Sequence, residues 1–277
     1  MSVAATEDKY RTTVSAQDRN KTFYHEWENW HQAHLARLAD PYGFLAITGL
    51  HWIDANPQQF DGVPGAWQTR NNEVVVTLAA GENLSWQGKT LSGEFSFGEL
   101  TDNTSLYAEY GETKLEVARR SGLYLLRPRN PDYKTLQEFN GVPAYYPDPA
   151  WRIEAQFTRY PQPQDVTVNA VAPGITHLYS APGYIEFTLQ GKTVRLTAFA
   201  AGENLQLLFT DKTSGKTTSD KQRALTVAPP DASGRVLLDF NRAINLMCAY
   251  TPAATCPLPP PENHIPLAIE AGEKIYA

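Results

Sequence analysis

The chain has 277 residues, of which 42% are hydrophobic and 19% are charged, and its formal net charge is −6. This length allows one large domain or two medium ones, and the composition is typical of a soluble globular protein. The acidic balance lacks the basic surface that nucleic acid or an anionic membrane requires, so we expect neither partner. No stretch has the roughly 18 uninterrupted apolar residues of a membrane span, and residues 1–20 lack the apolar core of a signal peptide. We therefore expect a cytoplasmic protein.

The first elements in chain order are a polar N-terminal tail, residues 1–15, and one amphipathic helix, Ala16–Leu38. The helix is predicted because large side chains recur every three or four residues, which places them on one stripe. The members of this stripe are Phe23, Trp27, Trp30, His34 and Leu38. Asp40-Pro41-Tyr42-Gly43 should end the helix, because proline disfavours helix in the preceding residue and glycine suits a turn.

After the helix, the sequence predicts short strands separated by turns. These segments are rich in Val, Tyr, Phe and Thr and are bounded by Gly, Pro, Asn and Asp. The predicted strands are 44–48, 73–78, 93–97, 105–110, 114–118, 122–127, 152–158, 166–171, 184–189, 193–199, 205–210 and 235–240. Strands do not alternate with long helices, which argues against a doubly wound α/β fold.

Two short sequences each occur twice. Ala-Ala-Gly-Glu-Asn-Leu is found at 79–84 and 200–205, and Gln-Gly-Lys-Thr at 87–90 and 190–193. Their order is swapped between the copies, so a simple tandem duplication does not explain them. We interpret them as hairpin turns with the same turn chemistry. The alternative is two similar β units that meet near residues 145–150.

Together these elements predict a mainly β fold, an antiparallel β-sandwich or distorted barrel. We expect a single β-rich domain over residues 16–277, with the N-terminal amphipathic helix packed against it. The run Pro257-Leu258-Pro259-Pro260-Pro261 favours extended backbone, because proline fixes φ and cannot enter a helix interior or a central strand. The C-terminal segment should therefore be an extended, Pro-rich wrap over the domain.

Two familiar kinds of ligand site are not supported by the spacing. Gly-Lys-Thr occurs three times, but the upstream glycine of a phosphate-binding loop is missing each time, and strands rather than helices should follow. His25, His31 and His34 lie in the predicted helix, but no acid or third ligand stands at a zinc-binding spacing. We expect these histidines to be packed in place, and we predict no cofactor and no metal.

Arg127 and Arg129 should point to the same face of a strand. Paired arginines on one face are suited to holding a carboxylate or phosphate. The alternative is a solvated strand edge with an internal salt bridge.

Cys248 and Cys256 are the only cysteines. A chain with two cysteines is not a disulfide scaffold, so buried structural thiols are the first interpretation. A metal site or a nucleophilic cysteine with His264 as base are the alternatives.

The densest set of polar residues lies near the C-terminus. A carboxylate beside an arginine can orient a ligand or act as a general acid or base. We assign Asp239 and Glu262 as candidate catalytic residues. Candidate ligand-binding residues, with an apolar wall from a tryptophan, are Arg127, Arg129, Asn241, Arg242, Asn245, Asn263 and Trp52.

Several blocks of the sequence resemble one known family. They are residues 42–53, residues 127–132 leading into 139–143 and 151–153, and residues 239–274 with both cysteines and the proline run. On these blocks the chain is similar to domain-of-unknown-function (DUF) family 1684, uncharacterised proteins of bacteria and archaea. The resemblance implies a single unit from about Thr22 to Lys274 and implies no reaction.

The sequence favours a protein that binds a small anionic metabolite in a polar site, with hydrolase-type acid/base chemistry as one use of that site. The rival interpretation is a non-catalytic interaction or assembly module that docks through its Pro-rich C-terminal arm. Whether the protein is an enzyme, and whether it forms a homo-oligomer, are left open.

Overall fold

The computed structural model describes residues 16–276. The predicted polar tail, residues 1–15, lies outside the described residues. The chain starts with helix α1 (Ala16–Leu38), as the sequence predicted, and contains one further short helix, α2 (Lys134–Gln137). Neither helix of the described part is long and apolar enough to cross a membrane.

Ten strands fill the first half of the chain. They are β1 (His51–Ile53), β2 (Gln58–Phe60), β3 (Val63–Arg70), β4 (Glu73–Thr77), β5 (Leu84–Trp86), β6 (Lys89–Leu91), β7 (Glu94–Ser96), β8 (Ser105–Tyr110), β9 (Thr113–Arg120) and β10 (Leu123–Arg129). They form a six-stranded antiparallel sheet, β1-β10-β9-β8-β5-β6, and a four-stranded one, β2-β3-β4-β7.

These two sheets share one hydrophobic core, as in a sandwich. Alternate residues point into it, for example Val74 and Val76 on β4 and Leu115 and Val117 on β9. This period of two is expected when one face of a strand is buried. Trp67 lies at the centre, fully buried, and its Nε1 donates to the carbonyl oxygen of Pro64 at 2.9 Å.

The second half of the chain forms a single larger sheet. Its strands are β11 (Arg152–Asn169), β12 (Thr176–Leu189), β13 (Lys192–Ala201), β14 (Asn204–Asp211), β15 (Arg223–Val227), β16 (Arg235–Asp239), β17 (Ile244–Asn245) and β18 (His264–Ile265). The order is β16-β11-β12-β13-β14-β15-β17, with β18 parallel to β14. A mainly antiparallel β fold with an N-terminal helix is confirmed.

The C-terminal segment covers the apolar face of this sheet. Ile265, Leu267, Ile269 and Ala271 are buried and belong to the same core as the strand residues of β11 to β16. After residue 239 the chain is mostly irregular, with short 3-10 turns and two-residue strands. The expected extended wrap is therefore an integral part of the core.

Two strand predictions need correction. Residues 44–48 do not form a strand: Phe44–Ala46 is a 3-10 turn, and Leu45, Ala46 and Ile47 are buried in succession. Such a run of buried residues does not fit a strand with one exposed face. Residues 152–158 and 166–171 are not separate strands either, because β11 runs through both, with a register shift between Arg159 and Gln164. Prolines without N–H groups occupy that shift.

The repeated Gln-Gly-Lys-Thr sequence forms a hairpin turn in both copies. Gln87-Gly88 connects β5 to β6, and Gln190-Gly191 connects β12 to β13. All four residues have positive φ, between 49° and 74°. This is the pattern of a two-residue type I′ turn, whose twist matches that of the strands it joins. Ala-Ala-Gly-Glu-Asn-Leu is a hairpin turn only at 200–205, because its first copy connects β4 to β5, which belong to different sheets.

Candidate functional site

Helix α1 is attached to the C-terminal segment through the buried carboxylate of Glu273. Its Oε1 accepts a hydrogen bond from His34 Nε2 at 2.8 Å, and its Oε2 accepts from the backbone N–H of Asn245 at 2.6 Å and from the Tyr250 hydroxyl at 3.1 Å. Burial, and then the charge of Glu273, raise the pKa of Tyr250 far above its ordinary value, so the hydroxyl keeps its proton and donates it. One carboxylate therefore links three parts of the chain.

Aromatic residues of α1 extend this contact. Trp27 stacks on His31 at 4.6 Å between ring centroids, and Trp30 stacks on His34 at 5.6 Å. Trp27 Nε1 donates to the carbonyl oxygen of Asn241 at 3.0 Å. The Arg242 guanidinium lies 5.6 Å from the Trp30 ring centre, within the range of a cation–π contact. The predicted tryptophan stripe therefore packs against the polar segment around residues 239–245.

An open cleft of about 520 Å³ lies beside this contact, between α1 and residues 142–147. Such a volume is within the range of small-molecule sites. Its wall is mainly aromatic and aliphatic, with a few polar groups. The aromatic members are Tyr24, Trp27, Tyr145 and Tyr146, and the polar ones from α1 are Glu28, His31 and Gln32.

His31 is the titratable group of this wall whose pKa is most clearly displaced. Burial lowers the pKa of His31, the charge of Glu273 partly opposes that change, and His34 adds to it. The ring is therefore neutral at neutral pH. Its Nε2 is buried and has no hydrogen-bond partner among the described residues. An unsatisfied buried polar group costs about 1–3 kcal/mol and is uncommon without a functional reason.

Arg127 and Arg129 do point to the same face of β10, and there they enclose Glu116. Arg127 Nη2 lies 2.6 Å from Glu116 Oε1, and Arg129 Nη2 lies 2.6 Å from Glu116 Oε2. Burial alone would raise the pKa of Glu116, but the hydrogen bonds and charges of the two arginines outweigh it and lower it to about 2. Arg129 also donates to the carbonyl oxygens of Tyr42 and Gly43. The pair thus forms a buried internal ion cluster.

Asp239, Asn241, Arg242 and Asn245 lie together behind the cleft. Asn241 Nδ2 donates to the backbone carbonyl of Asp148, and its Oδ1 accepts from the Asp148 backbone N–H, both at 2.9 Å. It thereby holds the end of the segment that carries Tyr145 and Tyr146. Asp239 accepts from Asn241 and lies 3.4 Å from Arg242 Nε.

The other predicted site residues lie elsewhere. Asn263 is fully buried and bridges β13 and β14, since its Nδ2 donates to the carbonyls of Thr197 and Leu208. Glu262 accepts from the Thr197 hydroxyl at 3.1 Å. Trp52 is half-buried on β1. The predicted residues therefore occupy four places, the β9–β10 ion cluster, strand β1, the β13–β14 bridge and the contact with α1, and do not line one cleft.

Sequence reasoning missed Glu273 and His31. His31 and His34 share a face of α1, and this spacing could have indicated a common site. The carboxylate that bonds His34, however, lies 239 residues away in the chain. No local spacing connects them. His34 is buried, as its place in the apolar stripe predicted.

A second buried ion pair fixes the segment before Glu273. Arg223 Nη2 lies 2.7 Å from Asp211 Oδ2, and both side chains are at most 1% exposed. The same guanidinium donates to the carbonyl oxygens of Ile269 and Ala271. The chain is therefore held firmly just before it reaches the carboxylate that contacts α1.

The fold and site define a class: an antiparallel β protein whose N-terminal helix is attached through a buried carboxylate, with an aromatic cleft beside the contact. The chain belongs to the family described as "Protein of unknown function (DUF1684)", whose model matches residues 137–274. The resemblance noted in the sequence is thereby confirmed. The matched region contains Glu273 and one wall of the cleft, and α1 precedes it.

Among solved structures, the chain is similar to an uncharacterized protein of Haloarcula marismortui, determined by solution NMR. The two are 32% identical, the match covers 50% of this chain and 78% of that chain, and the TM-score is 0.43. A search of curated proteins found no match.

Proposed function

We propose that this protein binds a small organic molecule in the cleft between α1 and residues 142–147. The observation that carries the proposal is the pairing of an aromatic wall with the polar side chains that α1 contributes to the cleft, Glu28, His31 and Gln32. Tyr146, at the same cleft, is 80% exposed, and among the described residues its ring contacts only that of Tyr24, at 5.7 Å between centroids. Large aromatic side chains left exposed beside a cleft are typical of binding surfaces.

The lining favours a ligand with a flat apolar body. Aromatic rings bind such bodies by stacking, while the few polar groups fix their orientation. The anionic ligand expected from the sequence depended on Arg127 and Arg129, which pair with Glu116 and do not line the cleft. Glu28 is the charged residue of the lining. We therefore propose a neutral or cationic ligand.

His31 is the group through which the cleft would carry out acid/base chemistry. A neutral imidazole can accept a proton at physiological pH, which is the property a general base needs. The described residues of the lining include no Ser, Thr or Cys, so a hydrolytic reaction there would use water as the nucleophile. Acid/base catalysis and a cytoplasmic location both stay predictions.

The rival function, docking through the C-terminal arm, needs an exposed arm. Residues 250–257 and 269–273 of that segment are mostly buried, whereas the proline run is only partly covered, with Leu258 and Pro259 half-buried and Pro261 exposed. The buried parts tie the segment to the domain on both sides of the proline run, which favours the cleft over the arm as the place where a ligand binds.

A ligand-observed NMR screen with a library of flat aromatic and heteroaromatic compounds tests the proposal. Compounds that bind the wild-type protein should lose their signal with Tyr146→Ala and with His31→Gln. His25→Gln is the matched control, because His25 is an exposed histidine of the same helix that bonds Asn29. Binding that persists in both cleft variants, or that disappears equally in the control, contradicts the proposal.

A further inference from the structure

The two cysteines, which lie outside the cleft, are placed against each other. Both are free thiols; Cys256 is 6% exposed and Cys248 is half-buried. The backbone N–H of Cys248 donates to Cys256 Sγ at 3.2 Å. The Cys256 sulfur is thus held beside the base of the Cys248 side chain.

A buried positive charge acts on this pair from another sheet. Arg127 on β10 is 4% exposed, and its charge favours the thiolate of Cys256. Two of its nitrogens bind Glu116, but Nη1 has no hydrogen-bond partner among the described residues. Unlike its neighbour Arg129, Arg127 therefore keeps one donor nitrogen that the ion cluster does not use.

A second unsatisfied group lies on the Cys248 side. Gln222 is fully buried, its Nε2 donates to the Pro257 carbonyl at 2.6 Å and lies 3.8 Å from Cys248 Sγ. Its Oε1 has no partner in the described part of the chain. The buried amide that contacts Cys248 therefore keeps one acceptor oxygen without a partner.

The electrostatic surroundings make the two thiols unequal. The hydrogen bond from Cys248, and then the charge of Arg127, lower the pKa of Cys256, against the effect of burial. The hydrogen bond with Cys256 and burial raise the pKa of Cys248, against the charge of Lys221. Burial, and then the charge of Cys256, also raise the pKa of Tyr179 on β12. A thiolate is the reactive form of cysteine, so Cys256 is the nucleophile of the pair.

We propose that Cys256 and Cys248 form a peroxide-reactive dithiol site, in which Cys256 is oxidised first and Cys248 resolves the oxidised product into an intramolecular disulfide. The oxidant is hydrogen peroxide, a small molecule that can approach a residue that is 6% exposed.

The chemistry balances in two steps. The Cys256 thiolate attacks one peroxide oxygen, the O–O bond breaks, and hydroxide leaves and takes up a proton, which gives a sulfenic acid and water. The Cys248 sulfur then attacks the Cys256 sulfur, the S–O bond breaks, and the released hydroxide takes the Cys248 proton as a second water. Two thiols are oxidised to one disulfide while one peroxide is reduced to two waters.

The second step is assisted by the first. Once Cys256 becomes a sulfenic acid it no longer carries the negative charge that opposes ionisation of Cys248. Lys221 then favours the Cys248 thiolate, so the resolving thiol becomes reactive when its partner is oxidised.

Thiol alkylation followed by mass spectrometry of the peroxide-treated full chain tests the proposal. Wild-type protein should lose both alkylatable thiols and yield a linked 248–256 peptide. With Cys248→Ser, a sulfenic-acid-trapping 1,3-dione should label Cys256. With Cys256→Ser, Cys248 should be oxidised at least about tenfold more slowly than Cys256 is in Cys248→Ser. The proposal is overturned if wild-type thiols react no faster than free glutathione, if the disulfide is intermolecular, or if both single thiols react at equal rates.

The role of Arg127 has a separate readout. In the Cys248→Ser background, Arg127→Gln should move the pH midpoint of Cys256 alkylation upward, and Arg127→Lys should restore it in part. Arg120→Gln is the matched control, since Arg120 also contacts Glu116, at 3.7 Å. If the pH midpoint of Cys256 alkylation is unchanged in both Arg127 variants, or changes equally in the control, Arg127 has no specific effect on Cys256. If Arg127→Gln does not fold, Arg127→Met, which also removes the charge but keeps an apolar stem of similar length, decides, with an unchanged midpoint as the contradicting result.

Discussion

Replacing Glu273 should detach α1 from the C-terminal segment. The carboxylate accepts three hydrogen bonds while it is 1% exposed. Glu273→Ala leaves the His34, Asn245 and Tyr250 donors without an acceptor, and each unsatisfied donor costs about 1–3 kcal/mol. Water entering the space left by the side chain would satisfy part of this set, so we expect a loss of about 3–5 kcal/mol in the free energy of unfolding. Glu273→Gln keeps one acceptor oxygen and should cost about 1.5–3 kcal/mol.

Urea unfolding followed by tryptophan fluorescence measures this loss, because Trp27 and Trp30 lie on the face of α1 that packs against the segment. Glu270→Gln is the control: it removes the same charge from an exposed position three residues earlier and should change stability by less than about 0.5 kcal/mol. A double-mutant cycle of Glu273→Ala with His34→Ala should give a coupling energy of about 1–3 kcal/mol. Glu273→Ala within about 1 kcal/mol of the wild type would refute the proposed role of the carboxylate.

Three further predictions concern buried charges and backbone conformation. Asp211→Asn should destabilise the protein by about 3–5 kcal/mol in the same urea assay, because its partner Arg223 stays buried without a counter-charge. The control Asp220→Asn, which breaks an exposed ion pair, should change stability by less than about 1 kcal/mol. Glu116 has a pKa lowered from 4.5 to about 2, so its ionised form contributes about 3 kcal/mol above pH 4.5 that is lost as pH falls through 2. Unfolding midpoints measured from pH 5 to pH 2 should show this decline, and Glu116→Gln should flatten it. Gly272→Ala should destabilise the protein by more than about 2 kcal/mol, because φ is +77° and a Cβ would lie 2.5 Å from the backbone oxygen of Ala243. Gly88→Ala, at a similar φ but with free space around it, should cost about 1 kcal/mol. Equal losses of the two variants in thermal melts would contradict the role of the close contact.

The parts of the fold that depend on local patterns could be predicted from the sequence. The stripe of α1, the type I′ turns at 87–88 and 190–191, and the strand 105–110 each depend on residues within a few positions of one another. The error at residues 44–48 has a physical reason: a short apolar run fits a strand or a buried turn equally well.

The candidate site could be predicted only in part, because its contacts join distant parts of the chain. The residues around Asn241 were identified correctly as a polar cluster near the C-terminus, yet they support α1 from behind the cleft. Arg127 and Arg129 were predicted to share a face, but their partner Glu116 lies on the neighbouring strand, and only the strand register brings it opposite Arg127. A local spacing shows which side of a strand a residue faces and does not show what faces it.

The indole N–H signal of Trp27 offers the most direct test of the cleft. Trp27 lines the cleft, and its N–H bonds Asn241, so a ligand there must change the environment of that proton. The signal can be assigned in a two-dimensional NMR spectrum with Trp27→Phe. Titration with a compound from the screen should shift this signal and leave that of Trp67, buried in the other core, unchanged. If the bound compounds shift the signals of Trp52 or Trp86 and not that of Trp27, the binding site lies elsewhere and the proposal is wrong.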